Sequence, residues 1–571
     1  MRIIDYYNYF ATAAFIIACA VAVVLHIRKK KSGQEKALLN DRMSKVFFAF
    51  IVILASALRV LFLSEVPLGL QQDEASIGYE AYILANFGVD RNGYAWPVYP
   101  ITWGCGGGSP LLIYLNVLSI KLFGTGIVKL RLIPAVLGVV TVILFYFTLR
   151  LIFEEKIFRN EISLFGAFFL TICPWHVILS RWSLDCNIMP FNVMLSAFLF
   201  MVGAKRRKTL AYVLSAVSFA LCMYSYGSAT IVVPVFLLIM CIYALVNKFI
   251  NIKQLVISFA AFMIVFAPLL WFYAVNYLGF PEFVSEYFCV NKLTAARGGE
   301  AFISLDGSFL KTVIGNLKIM IKAVSVGDSS FTLVHSFPGY ASLFEFTFPA
   351  TLLGFIITVK EVFFDKKGNG IERLGSLVFI GLTLATAVLC MVIVPDISRM
   401  VTIFIPAIYF FTKGMLFVLE ESGKLFSVLT GVIVLATILF CQKYFTEYNI
   451  YANSIFMPGY GDAMKRAYEI AGDENMIYST YDGLSAPFML ALYYNNYDPH
   501  KFTDSVVYFD ETAEFRIAES FGNFMFELPK NLEEELDEGA VVVLSSDELF
   551  DFEEAKNYNI DGFGAYWVLY R

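Results

Sequence analysis

The stretch SPLLIYLNVLSIKLF, Ser109 to Phe123, decides how the rest of the chain threads. It is apolar but only fifteen residues long, whereas a helix that crosses about 30 Å of hydrocarbon needs roughly 20 residues. Its length favours an interfacial or re-entrant piece. Charge points the same way. If it does not cross, the turns RKKK (28–31), EEKIFR (154–159), KRRK (205–208), NKFINIK (247–253), KEVFFDKKGNGIER (360–373) and ESGK (421–424) all fall on one side. That is the arrangement the positive-inside rule asks of cytoplasmic loops. If it does cross, KRRK and most of the others flip outward.

Working outward, the remaining apolar runs are expected near 10–27, 46–63, 131–152, 161–180, 190–204, 209–226, 229–247, 254–275, 346–361, 373–394, 400–418 and 424–441. The fold class expected is an all-α polytopic membrane protein with about 12 transmembrane helices and both termini outside. The run at 10–27 reads as an anchor rather than a cleaved signal, because the basic cluster follows it instead of preceding it.

Composition agrees. The 571 residues are 58% hydrophobic and only 16% charged, with a mean hydropathy of +0.68. Soluble domains carry about 25% charged residues. Basic residues sit in short turns rather than on one face, so nucleic acid is not an expected partner. Six of the nine cysteines lie in or beside apolar runs and none has metal or redox spacing. The four histidines are far apart.

This threading leaves large outer loops at about 64–130 and 276–345 and short ones at SRWSLDCNIMP (180–190) and PDISRM (395–400). Three parts follow: residues 1–45, an anchor helix and basic loop; 46–441, the transmembrane body; and 442–571, polar and outside. In the last part DAMKRAYEIAG and APFMLALYYN read as helices. NMIYST, SVVYF, GAVVVLSS and GAYWVLY read as strands. A small C-terminal α/β extracytoplasmic domain is expected, with no nucleotide or hydrolase motif.

Candidate chemistry lies at the membrane exits. In QQDEASIGYEAY, Asp73, Ser76, Ile77 and Glu80 share a helical face while Glu74 points elsewhere. The plain alternative is an N-terminal turn whose acids complement the helix dipole. In PWHVILSRWSLDCNIMPF, Arg181 and Asp185 are four apart beside Trp175 and Trp182; a local ion pair and interfacial anchor is the alternative to a site. In VPDISRMVTIFIP, Arg399 at a span end reads as a phosphate clamp or a snorkelling side chain. The 276–345 loop adds Arg297, Asp328 and His335. Asp73, Glu74 and Asp185 could form a hard oxygen site for magnesium or manganese.

Taken in order, QQDEASIGYEAY, GGGSPLLIYLNVLSIKLFG, LRLIPAVLGVVTVILFYFTLRLIF and PWHVILSRWSLDCNIMPF resemble the bacterial protein O-mannosyltransferase-like family, family 39, of the GT-C fold. They resemble the lipid A aminoarabinose transferase more distantly. The resemblance covers about residues 46–410. It implies a glycosyltransferase of the cell membrane, taking a sugar from a polyprenyl-phosphate donor to an acceptor glycan, lipid or protein at the extracytoplasmic face. It matches Asp73 to the catalytic aspartate, Glu74 to its acidic neighbour, Asp185 to the second-loop acid and Arg399 to a basic residue near the donor phosphate. With no β-trefoil insertion in the third loop, a protein acceptor is less expected. A carboxylate can serve as general base and an arginine can stabilise the phosphate leaving group. A monophosphate leaving group needs little further neutralisation, so no essential cofactor is expected. Competing readings are a transporter or flippase, a polysaccharide polymerase or ligase, and a scaffold that displays the C-terminal domain.

Overall fold

The computed structural model describes residues 3–28, 37–295, 302–304, 307–327, 334–365, 370–529, 538–552, 555 and 557–571. Arg297, Asp328, most of the RKKK turn and residues 366–369 lie outside the described residues.

Sixteen helices run in chain order through the membrane body: α1 Ile3–Arg28, α2 Asp41–Val60, α3 Gln72–Asn86, α4 Pro110–Phe123, α5 Ile127–Ile152, α6 Arg159–Ile172, α7 Pro174–Leu179, α8 Met189–Arg206, α9 Thr209–Cys222, α10 Ala229–Val246, α11 Ile252–Tyr277, α12 Phe309–Ser325, α13 Phe348–Phe363, α14 Gly370–Cys390, α15 Phe404–Glu421 and α16 Gly423–Phe456. Among the described residues, ten helices are long and apolar enough to cross a membrane. The other two expected runs are helical but fall short of that length. One is α6 and α7, interrupted where Pro174 cannot continue the first helix. The other is α9, of fourteen residues.

The segment that decides the threading is α4. Pro110 occupies its first turn and Gly124, at φ 77°, follows its end. Leu112, Ile113 and Val117 are buried in a cluster with the C-terminal domain, apart from the main membrane core. This fourteen-residue helix is therefore packed with the C-terminal domain rather than within the main membrane core.

The two ends of the bundle differ in chemistry. At one end the basic turns meet: His26 pairs with Glu421 at 2.9 Å, Lys205 with Glu154 at 2.5 Å and Lys156 with Glu372 at 3.4 Å. The Leu38 and Leu39 amides donate to Glu161 there as well. At the other end lie α3, α4 and the C-terminal domain.

Residue 441 is not a boundary. Helix α16 continues unbroken from Gly423 to Phe456, about 50 Å at 1.5 Å per residue, and leads directly into the C-terminal domain. That domain holds α17 Tyr460–Ala471, α18 Phe488–Tyr494 and α19 Pro499–Ser505. Its strands are β1 Ile477–Ser479, β2 Val507–Tyr508, β3 Ala518–Phe521, β4 Phe524–Met525, β5 Val541–Ser545, β6 Asn559–Phe563 and β7 Tyr566–Tyr570. They form one mixed sheet in the order β2-β3-β4-β1-β5-β7-β6, parallel only where β1 meets β4 and β5. The apolar runs predict β1, β2, β5 and β7. Strands β3, β4 and the polar β6 lie outside those runs.

The C-terminal domain is packed onto the body. A Cβ on Gly78 would stand 2.6 Å from the Tyr493 ring. The Tyr79 hydroxyl donates to the Tyr497 carbonyl at 3.2 Å, and the Arg516 guanidinium to Asn92 Oδ1 at 2.9 Å.

Candidate active site

The first turn of α3 sets two neighbouring acids in opposite environments. Gln71 caps the helix, and the Gln71 backbone amide donates back to Glu74. The Glu74 carboxylate then turns inward, fully buried. Arg131 holds it with Nε at 2.9 Å and Nη2 at 2.7 Å, and the Ser183 amide donates to it at 2.7 Å. The remaining Arg131 hydrogens reach the carbonyls of Leu63, Pro67 and Gly69. This closed, bidentate pair ties α5 to the loop before α3. The Glu74 carboxylate, expected as a substrate contact, thus has Arg131 and the Ser183 amide as its partners.

Asp73 faces the other way. It is half-buried on the wall of a cavity of about 220 Å³, together with Ser76, Trp103, Asp185, Tyr226 and Phe515. The Gln71 side-chain amide donates to it at 3.2 Å, and the Trp103 side chain stands on the same wall. Burial is the largest influence and pushes the Asp73 carboxyl above the usual carboxylate range. The side chains of Gln71 and Trp103 oppose that rise, and the Glu74 charge adds to it.

A second cavity of about 410 Å³ adjoins the first. The two share Cys105, Gly107, Asp185 and Tyr226 on their walls. Part of the larger cavity's wall is aromatic, with Tyr99, Phe272, Tyr273 and Tyr277, and Arg399 also stands on it. The Arg399 Nε bonds Asp396 at 3.0 Å and Nη1 donates to the Val394 carbonyl at 2.8 Å. Its guanidinium has five hydrogens, so donors remain for an anion. Asp185 stands on the shared wall. Its carboxylate accepts from the Ser109 amide at 3.0 Å, the Ser109 hydroxyl at 2.8 Å and the Cys186 amide at 2.8 Å. Asp73 and Arg399 therefore line two adjoining cavities, with Asp185 on the walls of both.

Other predicted contacts are absorbed by the scaffold. Glu80 is fully buried and bonded by the Arg91 Nε, whose Nη2 reaches the Ser76 hydroxyl. Arg181 is fully buried and does not pair with Asp185. It donates to the carbonyls of Leu58, Phe62 and Val66 and lies over the Phe445 ring at 4.8 Å. It joins α2 to α16. His335 is buried against Trp182, and its Nε2 bonds the Ser398 hydroxyl at 2.7 Å. Burial pushes its ring down to about 4, so it is neutral near pH 7. Glu80 and Arg181 have no free face for a substrate, and His335 touches the cavity only through Ser398. With Glu74 held by Arg131, the acidic trio does not assemble: among the described residues no three His, Cys, Asp or Glu side chains group as a metal site.

Sequence reading passes over Ser109, Trp103, Tyr226 and Phe515. One signal is present in GCGGGSP: Gly107 has φ +116°, and a Cβ there would sit 1.7 Å from the Thr102 hydroxyl. Only glycine lets the chain fold over the cavity wall at that point. Phe515 carries no local signal, because it arrives from a strand connection more than 400 residues away from Asp73.

Residues 108–272 match the family model for dolichyl-phosphate-mannose-protein mannosyltransferase. The match includes Asp185 and begins after Asp73. No curated protein matches the chain by sequence. By structure, the chain is similar to ArnT from Cupriavidus metallidurans in the apo state, at a TM-score of 0.52 and 13% identity. That alignment covers 92% of this chain and 98% of the other. The same protein bound to undecaprenyl phosphate gives a TM-score of 0.51 at 12% identity, covering 93% and 98%. At such identity the likeness is one of fold, and the fold is GT-C with a small C-terminal domain. It extends well beyond residues 46–410, so the flanking parts belong to the shared architecture rather than lying outside it.

Proposed function

We propose that the chain is an integral-membrane glycosyltransferase that moves a sugar from a polyprenyl-phosphate donor to an acceptor hydroxyl. The observation that carries this reading is the pair of adjoining cavities, one walled by Asp73 and the other by Arg399, with Asp185 and Tyr226 on the walls of both. An anion-binding guanidinium stands on the aromatic side, and a carboxylate with a raised proton affinity on the other. The matched mannosyltransferase segment and the GT-C fold support the same class of chemistry.

The reaction assigns one role to each group. The donor phosphate sits against Arg399, with its lipid along the aromatic wall. The acceptor hydroxyl approaches Asp73. As its oxygen attacks the anomeric carbon, its proton passes to the Asp73 carboxylate, which acts as general base. The bond between that carbon and the phosphate oxygen breaks, and the electron pair leaves on the phosphate. The Arg399 guanidinium stabilises that anion. Asp185, fixed by Ser109, orients the sugar between them.

The basic turns at the opposite end support a cytoplasmic position for that end. The cavities and the outer domain are then extracytoplasmic, in the cell membrane. A monophosphate leaving group balanced by Arg399 needs no divalent ion, so chelation with EDTA is expected to leave transfer unchanged.

The test is transfer of radiolabelled mannose from polyprenyl phosphate by membranes carrying Asp73→Asn. A loss of at least about 100-fold is expected, with an unfolding temperature equal to that of the unaltered protein. Transfer at the unaltered rate would remove Asp73 as the base.

A further inference from the structure

We propose that helix α12 lies in the membrane interface beside the larger cavity and binds anionic phospholipid headgroups through Lys311 and Lys318. Its seventeen residues, FLKTVIGNLKIMIKAVS, carry three lysines and no acid. Its inward face is fixed to the ends of spans. The Asn316 amide donates to the carbonyls of Cys390 and Ile393 at 3.0 and 3.2 Å. Cys390 ends α14, and the helix also packs on the turn Glu345–Thr347 that leads into α13. A helix held at both places runs along the rim of the bundle rather than through it.

The outward face has two stripes. Leu310, Ile314 and Ile321, spaced four and seven apart, are 72%, 55% and 53% exposed. Lys311, Lys318 and Lys322, spaced seven and four apart, are exposed one position further round. A helix bathed in water would not hold three large aliphatic side chains outward, and a spanning helix would not carry three ammonium groups in seventeen residues. Adjacent apolar and lysine stripes fit a helix in the interface, with its aliphatic side among acyl chains and its ammonium groups level with headgroup phosphates.

The surroundings continue this surface. Met391, Val392 and Val394, just past the end of α14, are also exposed, so the apolar stripe joins the lipid-facing side of the bundle. Phe302 bridges to Ile393, and both line the larger cavity. The lipid-bound helix therefore borders the space that holds Arg399. The absence of acid on α12 selects an anionic headgroup over a zwitterionic one, by about fivefold in affinity per lysine.

The proposal does not depend on the catalytic reading, and its test measures lipid alone. The purified full-length protein is delipidated and titrated with phosphatidylglycerol or phosphatidylcholine, and retained lipid is counted by native mass spectrometry. Phosphatidylglycerol is expected to be retained preferentially, and the double variant Lys311→Gln/Lys318→Gln is expected to lose at least a tenfold share of that preference. Equal retention of the two lipids, or an unchanged preference in the double variant, would overturn it. A second measurement places Ile314→Trp in vesicles of phosphatidylglycerol and phosphatidylcholine with bromine near the carbonyl end of the acyl chains. The fluorescence in excess of that from the six native tryptophans is expected to be quenched. An unquenched Trp at that position would mean that a soluble partner or water covers the stripe. Competition of retained phosphatidylglycerol by inorganic phosphate alone would mean a simple ion site, and would equally overturn the proposal.

Discussion

The Asp73 carboxyl opens onto the smaller cavity, while the Glu74 carboxyl one position on is enclosed by Arg131 and the Ser183 amide. Two substitutions should therefore separate function from stability. Asp73→Asn is expected to remove transfer and leave the unfolding temperature in place. Glu74→Gln removes one charge of a fully buried pair and leaves the Arg131 guanidinium uncompensated. It should lower stability by about 3–5 kcal/mol, read from thermal unfolding in detergent. The pH dependence has a defined sign. A base must be deprotonated, and burial raises the proton affinity of Asp73. The acid limb of kcat/KM should therefore lie above the usual carboxylate range and vanish in Asp73→Asn. Asp90 gives a stability effect of its own. It is fully buried, and burial followed by the Glu80 charge pushes its carboxyl up to about 7. The folded state then binds more protons than the unfolded state between the usual carboxylate range and about 7. Stability should fall as pH rises through that window, and Asp90→Asn should flatten the fall. The adjacency of Asp73 and Glu74 is legible in sequence, and helical geometry predicts that they diverge. Which one reaches the cavity depends on Arg131, 57 positions further along the chain.

At the scale of elements, α13 and α15 approach so closely that glycine is required on both. A Cβ on Gly354 would lie 1.8 Å from the Phe410 carbonyl oxygen, and one on Gly414 would lie 2.0 Å from that of Ala350. Within a bilayer such small-residue contacts are the main means by which helices pack. Gly354→Ala and Gly414→Ala should each force the pair apart and lower the unfolding temperature, whereas Gly431→Ala on α16, with open space around it, should not. Helix limits at this scale are mostly readable. Pro110 and Gly124 bracket α4, and Pro174 divides α6 from α7. Helix α12 is different: on length and hydropathy it belongs to a long loop. Its role comes from having Cys390 and Ile393 as partners, which no local pattern announces.

At the scale of the whole molecule, the outer domain and the membrane body act as one unit. Removing residues 457–571 would strip Tyr493 from Gly78, Tyr497 from Tyr79 and Phe515 from the cavity wall. Transfer should be lost and the remaining body destabilised, as measured by activity and by unfolding of the truncated protein. Retained transfer would mean that the domain is only displayed. What the sequence by itself determined is the class and the threading. Runs of about 20 apolar residues can only be buried in lipid, and basic turns sort to one end, so hydropathy and charge are written locally. Tertiary structure alone decided which polar groups are free. Arg181, Glu80 and Glu74 look available in sequence and are consumed by buried partners. Asp73, Asp185 and Arg399 keep access to two adjoining cavities. A buried charge must find a partner wherever the fold supplies one, and those partners arrive from helices far apart in the chain.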